Sequence, residues 1–225
     1  MGGGPTDTWS YRQFCPLAKA LEVVGERWTL LVVRELALSP RRYSEVERGI
    51  PGISAAVLAG RLRRLEDVGV IERQELPPPA AGTMYRLTRS GRDLARSMVP
   101  LAAWGTRWLD TREPDEAFRP AWPLLYLQAT IEPQRIDGVK ETYEMHVDDF
   151  VVSVTVAAGR LTLEEGVSAA APDVTLTCGS ETFIAIGLGR LDPSEALGTG
   201  SLVAVGDPEA VARSAALLKG MVRQS

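Results

Sequence analysis

The chain has 225 residues, 45% hydrophobic and 24% charged, with two cysteines and one histidine, which excludes disordered, collagen-like and disulfide-built classes and leaves no ligand set for a zinc centre. No apolar run approaches the roughly 18 residues of a membrane span, and MGGGPTDTWSYRQF lacks a signal-peptide core, so the expectation is a cytoplasmic protein of one large or two small domains, with no cofactor, metal or membrane partner. The net charge of −4 is unevenly spread, because residues 1–112 carry a net +5 and residues 113–225 a net −9. A basic half suits a polyanion and an acidic half some other task.

Taken in chain order, Leu17, Ala20, Leu21 and Val24 recur with helical spacing, as do Trp28, Leu31, Val32 and Leu36 after a break near Gly25. Tyr43, Val46 and Ile50 mark a third helix. Ser54 closes the PGIS turn as N-cap of a fourth, over 54–67, with Leu58, Leu62 and Leu65 on one face and a stop at Gly69. VIERQEL and MYRLT read as strands joined by PPPAAG, a hairpin tip. A further amphipathic helix runs from Thr88 through Leu94, Met98, Leu101 and Trp108, and DTREPDEAFRP interrupts it, so the domains are expected at 10–112 and 118–225.

The second half opens on a helix-like WPLLYLQATI. An alternating stretch with Phe150, Val152, Val154 and Val156 on one face follows, then the strand-like RLTLEE, VTLTC and SLVAV. SETFIAIGLG and DPEAVARSAALLKGM interleave as helices, the latter capped by Asp207 with Pro208 at its first position. The expected fold class is α+β, a winged helix-turn-helix with a β-hairpin wing followed by an α+β domain.

In a winged helix-turn-helix the second helix of the motif enters the major groove and the hairpin lies beside the backbone. Core-facing Leu58, Leu62 and Leu65 leave Arg61 and Arg64, with Arg63, free to point at DNA. Ser54, Ala55 and Ala56 head the helix. Arg42, Arg73 and Arg86, with Arg41 and Arg89, flank it as phosphate contacts.

The runs CPLAKALEVVGERWTLLVVREL, RRYSEVERGIPGISAAVLAGRLRRLEDVGVIER and YRLTRSGRDL together resemble the HxlR family of bacterial winged-helix regulators, over about residues 14–109. The resemblance implies a homodimer on a double-stranded DNA operator, with the N-terminal helix and the helix at 90–109 forming the dimer interface. Two departures stand out. Ala55, Ala56, Ala59 and Gly60 occupy positions where relatives often carry polar residues, which thins hydrogen-bond readout and shifts weight to thymine methyls and DNA shape. The wing from Gln74 to Tyr85 is uncharged apart from Glu75.

HVDDFVVSVTVAAGRLTLEEG, PDVTLTCGSETFIAIGLGRLDPSEAL and GSLVAVGDPEAVARSAALL resemble a sterol-carrier-protein-like domain, over about 121–220. That implies a sheet covered by helices around an apolar cavity for a hydrophobic small molecule. Phe150, Val152, Val154, Leu176, Phe183, Ile186 and Leu188 are the lining candidates, each competing with a plain core role.

Cys15 precedes Pro16 at a helix start, where backbone N–H groups can lower a thiol pKa. Some members of the resembled family use a cysteine here as a thiol-stress sensor, so it is the redox candidate, against an inert cap residue with no partner cysteine. Cys178 reads as core. His146 has no nucleophile placed beside it and is given no role. Glycines 187, 189, 198 and 200 make no complete phosphate loop, and Asp148, Asp149, Glu164 and Glu165 read as solvated turns. No catalytic constellation is present, so the chain is read as a regulator that senses a hydrophobic ligand and not as an enzyme. The alternative is a lipid or small-molecule carrier or sensor whose winged helix serves dimerisation or protein interaction.

Overall fold

The computed structural model describes residues 10–77, 82–110, 112–113 and 115–219. Most of the expected hairpin tip, residues 78–81, lies outside them. The chain forms two compact units, Met1–Met98 and Val99–Ser225.

The first unit contains α1 (Pro16–Val24), α2 (Thr29–Leu38), β1 (Arg41–Arg42), α3 (Tyr43–Arg48), α4 (Ala55–Asp67), β2 (Ile71–Leu76) and β3 (Gly82–Leu87). The long α5 (Arg89–Gly105) begins in it and continues past the division, through Pro100, to a 3-10 turn at Thr106–Trp108. Helical spacing brings Val32, Val33 and Leu36 of α2, Val46 of α3 and Leu58, Leu62 and Leu65 of α4 into one buried core, closed by Ile71, Tyr85 and Leu87 of the hairpin. Leu94, Ala95 and Met98 of α5 pack against it. The hairpin pairs Ile71 with Leu87 and Arg73 with Tyr85, and the two-residue β1 adds to its other edge, pairing Arg41 with Tyr85.

Among the described residues of this unit one carboxylate is buried. Glu35, on α2, is fully shielded from solvent. It receives Arg34 Nη2 at 2.9 Å, and the same nitrogen donates to the Gly49 carbonyl at 3.1 Å, at the end of α3. A Cβ at Gly49 would lie 2.1 Å from Glu35 Oε2, so a larger residue there has to displace the buried carboxylate. Gly91 is held more firmly, by backbone. Its Cβ would lie 2.1 Å from the Val70 carbonyl, which accepts from the Thr88 amide at 3.0 Å where the wing joins α5.

The second unit is built on a five-stranded sheet of β4 (Glu141–Val147), β5 (Phe150–Ala157), β6 (Arg160–Glu165), β7 (Val174–Cys178) and β8 (Leu202–Gly206), in the order β6-β5-β4-β7-β8. β4, β5 and β6 form an antiparallel meander, and β7 crosses back to lie parallel to β4. Alternation puts Tyr143, Met145, Val147, Val152, Val154, Val156, Leu161, Leu163, Val174, Leu176 and Cys178 on one buried face. Buried residues of α6 (Ala121–Thr130), α7 (Ser180–Gly187), α8 (Pro193–Thr199) and α9 (Pro208–Leu218) complete this unit's hydrophobic interior, among them Leu124, Phe183, Ile186, Ala196 and Leu218. The Asp207 carboxylate caps α9, accepting from the Glu209 and Ala210 amides at 3.0 Å each. The fold is α+β in the sense expected. Sequence reading missed β1, β4 and α8.

On the opposite face of the sheet, Glu144 accepts from the Ser168 amide at 2.9 Å and lies 2.7 Å from His146 Nε2. The Ser168 amide first, and then His146, hold the Glu144 carboxyl below the usual carboxylate range. A folded-state pKa depressed below the unfolded value of about 4.3 contributes stability above that pH, which is lost as pH falls through the folded value. Glu144→Gln is therefore expected to lower stability at about pH 7 and to flatten the acid limb below about pH 4, as read by urea denaturation across that range.

Candidate nucleic-acid interface and ligand cavity

α4 is fixed at three points. Ser54 caps it, its Oγ accepting from the Val57 amide at 3.4 Å. The Tyr43 hydroxyl donates to the Ala55 carbonyl at 2.8 Å, and burial lifts that phenol above its ordinary pKa, so the donor proton is retained. Leu58, Leu62 and Leu65 anchor the helix in the core. What remains for a partner is an exposed strip of Ser54, Ala55, Ala56, Ala59, Gly60 and Arg63. Its side chains are small along the first two turns, and a Cβ on Gly60 would meet nothing within 4 Å. A groove can approach that backbone closely.

The arginines differ in what they meet. Arg61 turns back toward the link between α1 and α2, where it pairs with Glu26 and its Nε donates to the Arg27 carbonyl at 3.2 Å. Arg64 likewise reaches the Glu22 carbonyl, at 3.5 Å. Both side chains expected to point at DNA thus brace α4 against α1 and the link that follows it. Arg63 is exposed and makes no hydrogen bond or ion pair among the described residues. Arg41 is buried, donating to the Glu35 carbonyl at 3.0 Å, which corrects its expected phosphate role. Arg42 is half-buried at the start of α3, its amide donating to Glu45.

On the wing, Arg73 pairs with Glu66 at 2.9 Å and Arg86 with Glu72 at 2.8 Å, and both guanidinium groups stay about half exposed. Exposed pairs of this kind contribute about 0–1 kcal/mol, so a phosphate can displace either acid. Arg89, at the start of α5, is exposed.

The second unit contains an apolar cavity of about 540 Å³ walled by Phe118, Trp122 and Tyr126, by Phe183 and Leu188 at α7, and by Ala102 and Trp108. Of the seven lining candidates only Phe183 and Leu188 lie on it. Phe150 and Val152 border a separate pocket of about 170 Å³, while Val154, Leu176 and Ile186 are plain core. The cavity's wall comes from α6, α7, the end of α5 and residues 106–110, 112 and 116–118, with no sheet residue among those that line it, which corrects the expectation that sheet side chains do so. The 102–118 stretch carries no periodicity after the helix, so no pattern marked it as a wall.

Cys178 is buried, and burial pushes its thiol up to about 11. Cys15 is partly buried as the N-cap of α1, and both cysteines are free. Asp148 is not idle, because its carboxylate accepts from the Ser180 amide at 3.2 Å at the start of α7. Among the described residues no helix is long and apolar enough to cross a membrane.

Residues 23–113 match the HxlR-like helix-turn-helix family, and residues 124–219 match the SCP-2 sterol transfer family. The HTH-type transcriptional regulator YvaP of Bacillus subtilis strain 168 is 35% identical over 99 residues, 44% of this chain and 92% of that protein. Rv3095 of Mycobacterium tuberculosis H37Rv, an HTH-type regulator too, is 41% identical over 97 residues, 43% of this chain but only 61% of its own length. The reduced form of the regulator YodB from B. subtilis superposes with a TM-score of 0.39 at 32% identity, covering 45% of this chain and 100% of that one. With 92% of YvaP covered at 35% identity and residues 23–113 matching the family, the chain belongs to the HxlR-like helix-turn-helix family of transcriptional regulators.

Proposed function

We propose that the chain is a dimeric DNA-binding regulator that sets α4 in the major groove and reads a hydrophobic small molecule in its C-terminal unit. The observation that carries the DNA reading is the exposed strip on α4, because Ala55, Ala56 and Ala59 fit against thymine methyls and Arg63 is the cation of that strip. Arg42, Arg73 and Arg86 supply phosphate contacts beside it. Arg61 and Arg64 act on DNA through the angle at which they hold α4. Two stretches of exposed apolar side chains support the dimer: Phe14 just before α1 with Leu17 and Leu21 on it, and Leu101 and Trp104 on α5 with Leu109 just past the 3-10 turn. Burying both against a second copy gives the two-fold symmetry that a pseudo-palindromic operator mirrors.

The cavity supports the ligand half of the proposal. α5 carries Leu94 and Met98 against the winged-helix core and Ala102 on the cavity wall, so a single helix bears on both functions. A ligand acts only if it binds one state of that element better than the other.

The test is a fluorescence-anisotropy titration of the full chain with duplexes from its own upstream DNA at two salt concentrations. Native mass spectrometry of the same samples gives stoichiometry. Arg63→Ala is expected to weaken operator binding by about 1–3 kcal/mol. Affinity that is unchanged in the variant, or insensitive to salt in the parent, overturns the DNA-binding reading.

A further inference from the structure

The cavity of the second unit is walled by five aromatic rings, those of Trp108, Phe118, Trp122, Tyr126 and Phe183, and three charged side chains, Asp110, Arg112 and Glu116, border it. We propose that it takes a lipophilic cation, an aryl-bearing molecule with a permanent or protonated positive charge; this rests on the reading above that the second unit binds a hydrophobic small molecule.

Two of the rings already hold cations. The Arg112 guanidinium lies 5.9 Å from the Phe118 ring centre, and Arg107 lies 5.5 Å from that of Trp108. Ring faces attract a cation at such distances because of their quadrupole, and they attract it more strongly where water is excluded. The bordering charges point the same way. Arg112 is met by Glu181 at 3.6 Å as well as by Phe118. The Asp110 and Glu116 carboxylates have no ion pair among the described residues, and Glu116 accepts only from the Glu113 amide, at 3.0 Å. A ligand of either charge meets Arg112, already engaged by Glu181 and Phe118, and Arg190, whose guanidinium donates to the Leu109 and Asp110 carbonyls at 2.7 and 3.3 Å, so the two carboxylates are what favours a cation. The net −9 of residues 113–225 raises the local concentration of cations further.

Tetraphenylphosphonium and tetraphenylborate share size and shape and differ in the sign of their charge, so the pair isolates this selection. Each is titrated into the full-length protein in sodium buffer by calorimetry, with palmitate as the lipid comparator. The expected result is phosphonium binding at least tenfold tighter than borate. Asp110→Asn with Glu116→Gln, both at exposed positions, is expected to erase most of that preference. Borate or palmitate binding as tightly as phosphonium overturns the cation selection and leaves the hydrophobic-ligand reading standing. A phosphonium preference untouched in the double variant overturns the assignment to this cavity. No binding of any of the three to the folded protein overturns both.

Discussion

Arg34→Met is expected to destabilise the winged-helix unit by about 3 kcal/mol or more, because it removes a guanidinium that pairs with a fully buried carboxylate. Glu35 is fully buried on α2, while the Arg34 side chain keeps a fifth of its surface exposed. The two partners are therefore not equivalent. Glu35→Met leaves a guanidinium that can swing its head into solvent along its own aliphatic stem, so its cost is expected to be at least about 2 kcal/mol smaller. Arg34 also satisfies the Gly49 carbonyl, and its loss frees an acceptor in a buried turn. Thermal unfolding followed by circular dichroism reads the contrast. A fall of more than about 10 °C is expected for Arg34→Met in a domain of this size, with a clearly smaller one for Glu35→Met. Equal shifts in the two variants would show that burial of the carboxylate does not set the cost.

This ion pair marks the limit of what the sequence discloses. The leucines of α4 could be placed because 58, 62 and 65 recur at helical spacing and such a stripe has to be buried. Ser54 could be placed because a serine after a turn supplies the acceptor that a helix start lacks. Those are local rules. The aim of Arg61 and Arg64 depends on where the turn between α1 and α2 lies in space, more than thirty residues earlier in the chain, and no periodicity encodes that. Arg41 looked like its neighbour Arg42 in sequence, yet strand pairing with Tyr85 carries it into the interior. In the second half, Val154 and Leu176 had the alternation of an inner sheet face, and the structure puts them there as core. Alternation does not distinguish a filled interior from a lined cavity. β4 had a usable pattern in Tyr143, Met145 and Val147, but the interleaved Glu144 and His146 diluted its strand-like composition. Part of the cavity wall was hidden in another way, because a charged stretch that read as a linker leads into Phe118, which meets Phe183 with ring centres 6.0 Å apart.

Ala59→Glu is expected to abolish operator binding, with a loss of about a hundredfold or more, equivalent to roughly 3 kcal/mol. Ala59 is exposed in the middle of the α4 strip and is not one of the buried residues that anchor the helix. Glutamate is also a good helix former, so the fold has no reason to resent it. What changes is that a negative charge is now presented to the groove, where a carboxylate meets phosphates on both sides and loses hydration without gaining a donor. The matched Ala59→Lys keeps the bulk and reverses the charge. It is expected to retain or strengthen binding to any duplex while losing preference for the operator, since a flexible ammonium adds phosphate affinity and removes the close approach to thymine methyls. Anisotropy titrations of both variants against operator and scrambled duplex separate charge from size. If Ala59→Glu binds the operator as the parent does, the α4 strip is not the surface that meets DNA. If glutamate and lysine weaken operator binding equally, bulk at Ala59 and not charge controls the approach, and the small side chains along α4 are then the feature on which recognition turns.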